Sequence, residues 1–207
     1  MSGQIRGTVV VAIDGPAGSG KSTLSRALAT RLGLQRLDTG AMYRSVAWAV
    51  LQKGIDTDDH QAVADVARSL AIEIDDRVLV DGTDVTAAIR GPEVSATVSA
   101  VAANPDVRVV MVERQRQWVA TNGGGVVEGR DIGSGVLPDA DLKLYLTASP
   151  EVRAARRSEE GAAAVARRDR LDSTRATSPL EVPEGARIID TGALSVDQIV
   201  EEVVAWL

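Results

Sequence analysis

The chain has 207 residues, 44% of them apolar and 25% charged, which suits one globular α/β domain with a small insertion. A net charge of −6 and an aromatic content of only 2% argue against a nucleic-acid-coating or base-stacking surface. The lack of cysteine excludes disulfides and zinc–thiolate sites. The N-terminal residues lack an apolar signal core and the apolar runs are far below membrane-spanning length, which predicts a cytoplasmic protein without a membrane partner.

The first part of the chain alternates buried strands with amphipathic helices. An apolar, β-branched run at residues 8–14 predicts a parallel strand, and leucines at helical spacing predict a helix over 22–32 that ends at Gly33. A second strand at 34–38 and a second helix at 40–53 follow. Asp58 and Asp59 are placed to open a third helix, which runs to about residue 70.

The middle of the chain predicts antiparallel strands, whereas the end returns to alternating strands and helices. Short alternating runs at 71–75, 77–80 and 84–86 predict a small antiparallel meander, followed by helices at 92–104 and 106–121. Strands at 125–128, 141–147 and 187–190 return to the earlier alternation, with Ser149 capping one helix and another helix at 196–207. The fold prediction is therefore a three-layer α/β/α domain with a doubly wound parallel sheet, an antiparallel insertion and a short lid.

A phosphate-binding loop follows the first strand directly. Residues 15–22 read GPAGSGKS and fit GxxxxGK[ST] at every fixed position, with a strand before and a helix after. Glycines let backbone N–H groups converge on phosphates, Lys21 suits the β- and γ-phosphates, and the Ser22 hydroxyl suits Mg²⁺. The predicted ATP-binding residues are Gly15, Pro16, Ala17, Gly18, Ser19, Gly20, Lys21, Ser22 and Thr23.

Two further clusters could bind an acceptor. After the second strand, Thr39 is predicted to cap a helix with anion-binding N–H groups, and Arg44 lies about one turn on. Taken alone, an ordinary capped helix with a surface arginine is the better interpretation. At the end of the third parallel strand, the cluster Glu128-Gly129-Arg130-Asp131 lies where open α/β sheets bind ligands, although a structural ion pair of Arg130 and Asp131 fits equally well.

An arginine-rich region follows the Ser149 cap. Its members are Arg153, Arg156, Arg157, Arg167, Arg168, Arg170 and Arg175. Arg153 and Arg157 are predicted to share one helix face, and Arg168, Asp172 and Arg175 another. The small, Ala-rich stretch at 158–166 between them is predicted to be mobile. A closing lid that brings cations over a phosphoryl group fits this pattern better than a solvated face or a basic nucleic-acid patch.

Together these segments resemble the bacterial cytidylate kinase family over essentially the whole chain. The resemblance rests on IDGPAGSGKST (13–23), LDTGAMYR (37–44), the meander ending in Ile89-Arg90, and the stretch 94–116. It continues through EGRDIG (128–133), LPDA (137–140) and RRDRLDSTRATSPL (167–180). The segment 158–166 is shorter than the lid of the family.

The resemblance implies ATP-dependent phosphorylation of CMP, and more weakly of dCMP, with Mg²⁺ and no nucleic-acid partner, by a monomer. It implies that Thr39, Arg44, Arg130 and Arg175 hold the CMP phosphate, that Ser99, Arg108 and Asp131 read cytosine, and that Arg168 and Asp172 contact the ribose. Lys21, Arg153, Arg157 and Arg170 would surround the transferred phosphoryl group, and the Asp190-Thr191-Gly192 loop would lie near adenine. The implied divisions are core (1–38, 122–152 and 176–207), acceptor-binding region (39–121, with the insertion at about 71–90) and lid (153–175).

Three alternatives are less consistent with the sequence. The first alternative is a P-loop kinase for shikimate, gluconate or a coenzyme precursor. It would not explain the meander or the set Ser99, Arg108 and Asp131. A switch GTPase needs an N-K-x-D and a D-x-x-G motif, and neither occurs. A nucleic-acid-binding protein is disfavoured by the acidic balance.

Overall fold

A computed structural model describes residues 9–157, 162–173 and 179–207, with the side chains at 162–165, 168 and 172 left undescribed. In chain order these residues form β1 (Val10–Asp14), α1 (Lys21–Leu32), β2 (Arg36–Asp38), α2 (Thr39–Gln52), α3 (His60–Ser69), β3 (Ile72–Ile74), β4 (Val78–Val80), β5 (Thr83–Asp84), α4 (Pro92–Ala103), α5 (Pro105–Asn122), β6 (Gly125–Glu128), β7 (Leu142–Thr147), α6 (Pro150–Ala155), α7 (Ala162–Ser173), β8 (Arg187–Asp190) and α8 (Val196–Val204).

The described chain separates into two compact units. The first takes in the described residues of Met1–Leu37 and Gln117–Leu207, and the second is Asp38–Arg116. In the first unit a five-stranded sheet has the order β2-β6-β1-β7-β8. β1 pairs in parallel with both β6 and β7, so the central strand is covered on both edges. The predicted parallel sheet with flanking helices is confirmed.

The core of the first unit forms around the central strand. Val11 and Ile13 of β1 are fully buried with Leu144 and Leu146 of β7, and α1 adds Leu24 and Leu28 to the same cluster. Burial of such side chains stabilises the fold by about 1.5–3 kcal/mol each. This packing fixes the carboxyl ends of β1 and β6, which carry the residues of the candidate site.

Helix boundaries in the first unit follow ordinary capping chemistry. Gly33 takes a left-handed conformation after α1, at φ 68°, and its N–H closes onto the last turn. Ser149 accepts a hydrogen bond from the backbone N–H of Val152, with Pro150 in the first turn of α6, as predicted. Ser195 and Gln198 form a capping box at the start of α8.

The second unit contains α2, α3, α4, most of α5 and the small sheet β3-β4-β5. The sheet is antiparallel, with Ile72 opposite Val80 and Val80 opposite Thr83, so the predicted meander is confirmed. α2 packs against α3 and α4. Val46, Val50, Val63 and Ile89 form part of its buried interior.

Several predicted boundaries were wrong. Thr39 is the first residue of α2 and not its cap, because the Asp38 carboxylate accepts a hydrogen bond from the Ala41 N–H at 3.0 Å. The helix predicted over 196–207 ends at Val204. Of the segment 158–166, residues 158–161 lie outside the described residues, whereas 162–166 form the start of α7. Across the described residues, every helix is too short or too polar to cross a lipid bilayer.

Candidate active site

The phosphate-binding loop has the backbone that its glycines predict. Gly15 has φ 145° and Gly18 has φ 75°, both of which side chains rarely adopt. A Cβ on Gly15 would lie 2.3 Å from the Leu146 carbonyl oxygen, and one on Gly18 would lie 2.7 Å from the Arg153 carbonyl oxygen. The loop therefore packs closely against the backbone at Leu146 and at Arg153, both in its own unit. α1 begins at Lys21, one residue earlier than predicted.

The Lys21 ammonium group lies inside this loop. It donates to the carbonyl oxygens of Gly15 at 2.7 Å and Pro16 at 2.8 Å, and the residue as a whole is only 8% exposed. The ammonium group therefore places a positive charge at the loop and at the N-terminus of α1, where anions are favoured.

The hydroxyl of Ser22 contacts a partly buried polar network around Glu128, the last residue of β6. Ser22 and Ser25 donate to the two Glu128 carboxylate oxygens, each at 2.9 Å. The Arg36 guanidinium of β2 donates to the same carboxylate at 2.9 Å. Hydroxyl and carboxylate oxygens are the donors that Mg²⁺ prefers, so Ser22 and Glu128 fit the metal that accompanies a nucleoside triphosphate.

We expect Arg36→Leu to lower the free energy of unfolding by about 2 kcal/mol. The side chains of Glu128 and Arg36 are 3% and 16% exposed, so removal of the cation leaves a buried carboxylate without its counter-charge. The effect lies below that of a fully buried pair because Arg36 retains some hydration. Urea unfolding followed by circular dichroism measures it.

The matched control is Arg31→Leu, which removes an arginine from the exposed ion pair with Glu201 at 3.1 Å. That change should cost less than about 1 kcal/mol. The double variant Arg36→Leu/Glu128→Leu should recover much of the loss, since no charge then stays buried. Equal losses for Arg31→Leu and Arg36→Leu would contradict the burial argument.

Asp14, the last residue of β1, holds the chain that follows β6. Its carboxylate oxygens accept from the backbone N–H groups of Ile132 at 2.8 Å and Gly133 at 2.7 Å. Burial raises its pKa from 3.8 to about 6, against the lowering effect of these two donors. Because the folded state holds this proton more tightly, the contribution of Asp14 to the free energy of unfolding is largest below pH 3.8. It falls as the pH rises through about 6 and the buried carboxyl ionises. Above that range the ionised carboxylate accepts from both N–H groups.

Arg130 and Asp131 lie between β6 and a single π-helical turn at Ile132–Val136. The Arg130 guanidinium donates to the Gly15 carbonyl oxygen at 3.0 Å, so it shares this acceptor with Lys21. Asp131 is 5% exposed, and its carbonyl oxygen accepts from the N–H groups of Gly135 and Val136. The structure therefore brings the predicted Arg130 beside the phosphate-binding loop.

The arginine region also contacts this loop. The Arg153 guanidinium donates to the Ala17 carbonyl oxygen at 3.2 Å and pairs with Asp169 of α7, whose carboxylate also accepts from the Ala17 N–H at 2.9 Å. Arg156 donates to the Thr191 hydroxyl at 2.8 Å, and that hydroxyl lies 3.0 Å from the Ser19 carbonyl oxygen. The region and the Asp190-Thr191-Gly192 loop therefore meet at the phosphate-binding loop.

Two predictions about helix faces in this region were wrong or fall outside the structure. α6 ends at Ala155, so the half-buried Arg157 follows the helix and does not share a face with Arg153. Arg170 lies on α7 and is exposed. The side chains of Arg168 and Asp172, and all of Arg175, lie outside the described residues.

The remaining predicted acceptor residues lie in the second unit, and all four are buried. Thr39 is 3% exposed, Arg44 8%, Ser99 7% and Arg108 5%. The Arg44 guanidinium donates to the Ile89 carbonyl oxygen at 3.0 Å and to the Ser95 hydroxyl at 2.9 Å. Arg108 lies over the Tyr43 ring at 5.9 Å. These side chains are therefore buried polar groups of the second unit and not part of a solvated helix face.

Comparison with known proteins assigns the family. The family model described as cytidylate kinase matches residues 11–207. The chain belongs to the cytidylate kinase family. A cytidylate kinase of Corynebacterium efficiens is 50% identical over 215 residues, covering 96% of this chain and 94% of that protein. One of Mycobacterium leprae is 49% identical over 205 residues, covering 93% and 92%.

A solved structure supports the fold of this cytidylate kinase family member. A gluconokinase from Sinorhizobium meliloti 1021 matches with a TM-score of 0.54 at 16% identity, covering 97% of this chain and 92% of that one. At that identity the likeness shows the P-loop kinase fold and carries no argument about the substrate.

Sequence reasoning missed three residues of the site and left the role of a fourth unassigned. Asp14, Arg36 and Asp169 were not singled out, and Glu128 was not assigned a role. A signal existed for two of them, because Asp14 and Glu128 are single carboxylates that end apolar strands directly before a glycine. For Arg36 and Asp169 no local pattern marked the side chain.

Proposed function

We propose that this enzyme transfers the γ-phosphoryl group of ATP to CMP, and more weakly to dCMP, to give ADP and CDP or dCDP. The observation that carries the proposal is the joining of Arg130 to the phosphate-binding loop through the Gly15 carbonyl oxygen, which Lys21 shares. A cation of the acceptor motif thus lies beside the cation expected at the donor phosphates. Family membership supplies the acceptor.

On the donor side, residues 15–23 would bind the triphosphate through their backbone N–H groups, which all of them except Pro16 carry, and Lys21 would neutralise its β- and γ-oxygens. Ser22 and Glu128 would hold Mg²⁺, which would supply positive charge to stabilise the negative charge that develops on the transferred phosphoryl group. Arg153, Arg157 and Arg170 would complete the charge around the transferred group. Such cations accelerate the reaction because they are already oriented before charge develops.

On the acceptor side, the predicted residues fall into three groups with different proposed roles. Thr39, Arg44, Arg130 and Arg175 would bind the CMP phosphate, Ser99, Arg108 and Asp131 would read the base, and Arg168 and Asp172 would contact the ribose. A guanidinium can bind a phosphate with two parallel hydrogen bonds, which orients it as well as neutralising it. We further propose that the enzyme is a cytoplasmic monomer, with these two nucleotides as its partners.

An acceptor panel tests the proposal. With Mg²⁺ and ATP, we expect CMP to give the highest kcat/KM, dCMP a lower value, and UMP, AMP and GMP values at least about tenfold below CMP. Coupled detection of ADP and chromatographic detection of CDP measure the reaction. The ribose contacts supply the expected difference between CMP and dCMP, since dCMP lacks the 2′-hydroxyl.

Gluconate and shikimate belong in the same panel, as acceptors of other P-loop kinases. Turnover with either of them, and none with CMP, would overturn the proposed function. Omission of Mg²⁺ should abolish turnover with every acceptor, and stable activity in the presence of a chelator would contradict the metal assignment.

A further inference from the structure

We infer that Asp14 is a positioning residue for base selection, whose carboxylate fixes the place of Asp131 by holding the two backbone N–H groups that follow it. The inference rests on the proposed function, in which Asp131 reads cytosine. Asp14 ends β1, the strand that leads into the ATP-binding loop, so a residue on the ATP side of the site would help to determine which nucleotide is phosphorylated.

The geometry of the contact is bidentate. Asp14 is fully buried, and its Oδ1 and Oδ2 atoms accept separately from the consecutive N–H groups of Ile132 and Gly133. Two hydrogen bonds from adjacent peptide groups to one carboxylate define both the position and the direction of that chain segment. Hydrogen bonds to a charged acceptor are stronger than neutral ones, so the segment has little freedom.

The other flank of Asp131 is attached to the same strand end. The preceding residue, Arg130, donates to the carbonyl oxygen of Gly15, which directly follows Asp14. Consecutive residues of one strand end therefore hold the residue before Asp131 and the two after it. The π-helical turn closes on the Asp131 carbonyl oxygen, which accepts from two N–H groups. Turns of this type are rare and occur frequently at functional sites.

A purely structural junction would not need a charge at this point. Burial disfavours the ionised carboxyl, as the raised pKa of Asp14 shows. The arrangement makes sense where placement matters more than stability, because a catalytic or reading group displaced by about 1 Å can lose up to a hundredfold in efficiency.

The test is Asp14→Asn, assayed with CMP and UMP. An asparagine offers one acceptor oxygen and directs an amide donor at the second N–H group, so the turn after Asp131 must shift. We expect the CMP/UMP ratio of kcat/KM to fall about tenfold, through a higher KM for CMP, while the KM for ATP changes by less than about twofold.

The matched control is Asp141→Asn. The Asp141 carboxylate also accepts a backbone N–H, that of Val10 at 2.8 Å, but at the opposite end of β1. This variant should keep the wild-type CMP/UMP ratio even if it lowers the melting temperature. An unchanged ratio in Asp14→Asn, with the stability lowered as in Asp141→Asn, would overturn the inference.

A second variant tests the same segment if Asp14→Asn does not fold. In Gly133→Ala the new Cβ would lie 3.0 Å from Pro183 Cγ, so the turn or the Pro183 side chain must move by a few tenths of an ångström without a change in Asp14. We expect the same fall in the CMP/UMP ratio, and a wild-type ratio there would contradict the inference. A wild-type enzyme that shows no preference for CMP would instead contradict the proposed function, and this inference with it.

Discussion

Lys21→Ala is expected to lower kcat by about 10²–10³ with little change in the fold. Lys21 is 8% exposed, and its ammonium lies against the Gly15 and Pro16 carbonyl oxygens, in the loop where the β- and γ-phosphates are proposed to bind. A cation acting in a site with little water stabilises developing charge far more than one at the surface. Steady-state kinetics at saturating ATP and CMP measures the change.

Lys53→Ala is the matched control, because it removes the same side chain from an exposed position at the end of α2. Its kcat should equal that of the wild type. Circular dichroism should show that both variants keep the native helix content. A Lys21→Ala enzyme with most of its kcat would remove this lysine from the mechanism.

Asp131→Asn is expected to lower the preference for CMP over UMP by about one to two decades. An ionised Asp131 only accepts hydrogen bonds, so it suits the 4-amino group of cytosine and opposes the 4-carbonyl group of uracil. Its 5% exposure means that an unmatched base leaves it poorly hydrated as well. An asparagine can present either its oxygen or its nitrogen, so kcat/KM should fall for CMP and fall less, or rise, for UMP.

The competing interpretation is that Asp131 only orients Arg130. In that case CMP and UMP would lose kcat/KM in equal proportion, and that result would exclude base reading. Asp197→Asn, on the exposed first turn of α8, is the control for the loss of one negative charge. It should leave both acceptors unchanged.

The features that sequence reasoning predicted are those that neighbouring residues determine. The phosphate-binding loop follows from the glycines and Lys21 within eight positions, and the Ser149 cap follows from Ser149 and Pro150. The alternation of apolar runs was sufficient for the parallel sheet, since strand burial and helix periodicity are local signals.

The features it missed depend on strand order. Arg36 and Glu128 are 92 residues apart, and they meet only because β2 lies beside β6 in the sheet. Asp14 and Gly133 are 119 residues apart and meet because β6 also borders β1. A single sequence contains the strands but not their order, so it cannot show which polar side chains at a sheet edge will touch.

The close approach of Gly15 to β7 affects how inactive variants should be interpreted. A methyl group at this position would lie 2.3 Å from the Leu146 carbonyl oxygen, which is backbone and cannot move aside without disturbing the sheet. A saturation screen would therefore score every substitution at Gly15 as a loss, whether or not nucleotide is present. Loss of function at Gly15 therefore reports on packing against the sheet, whereas Lys21 and Ser22, whose side chains face the proposed phosphate and metal, are the better positions for testing phosphate chemistry.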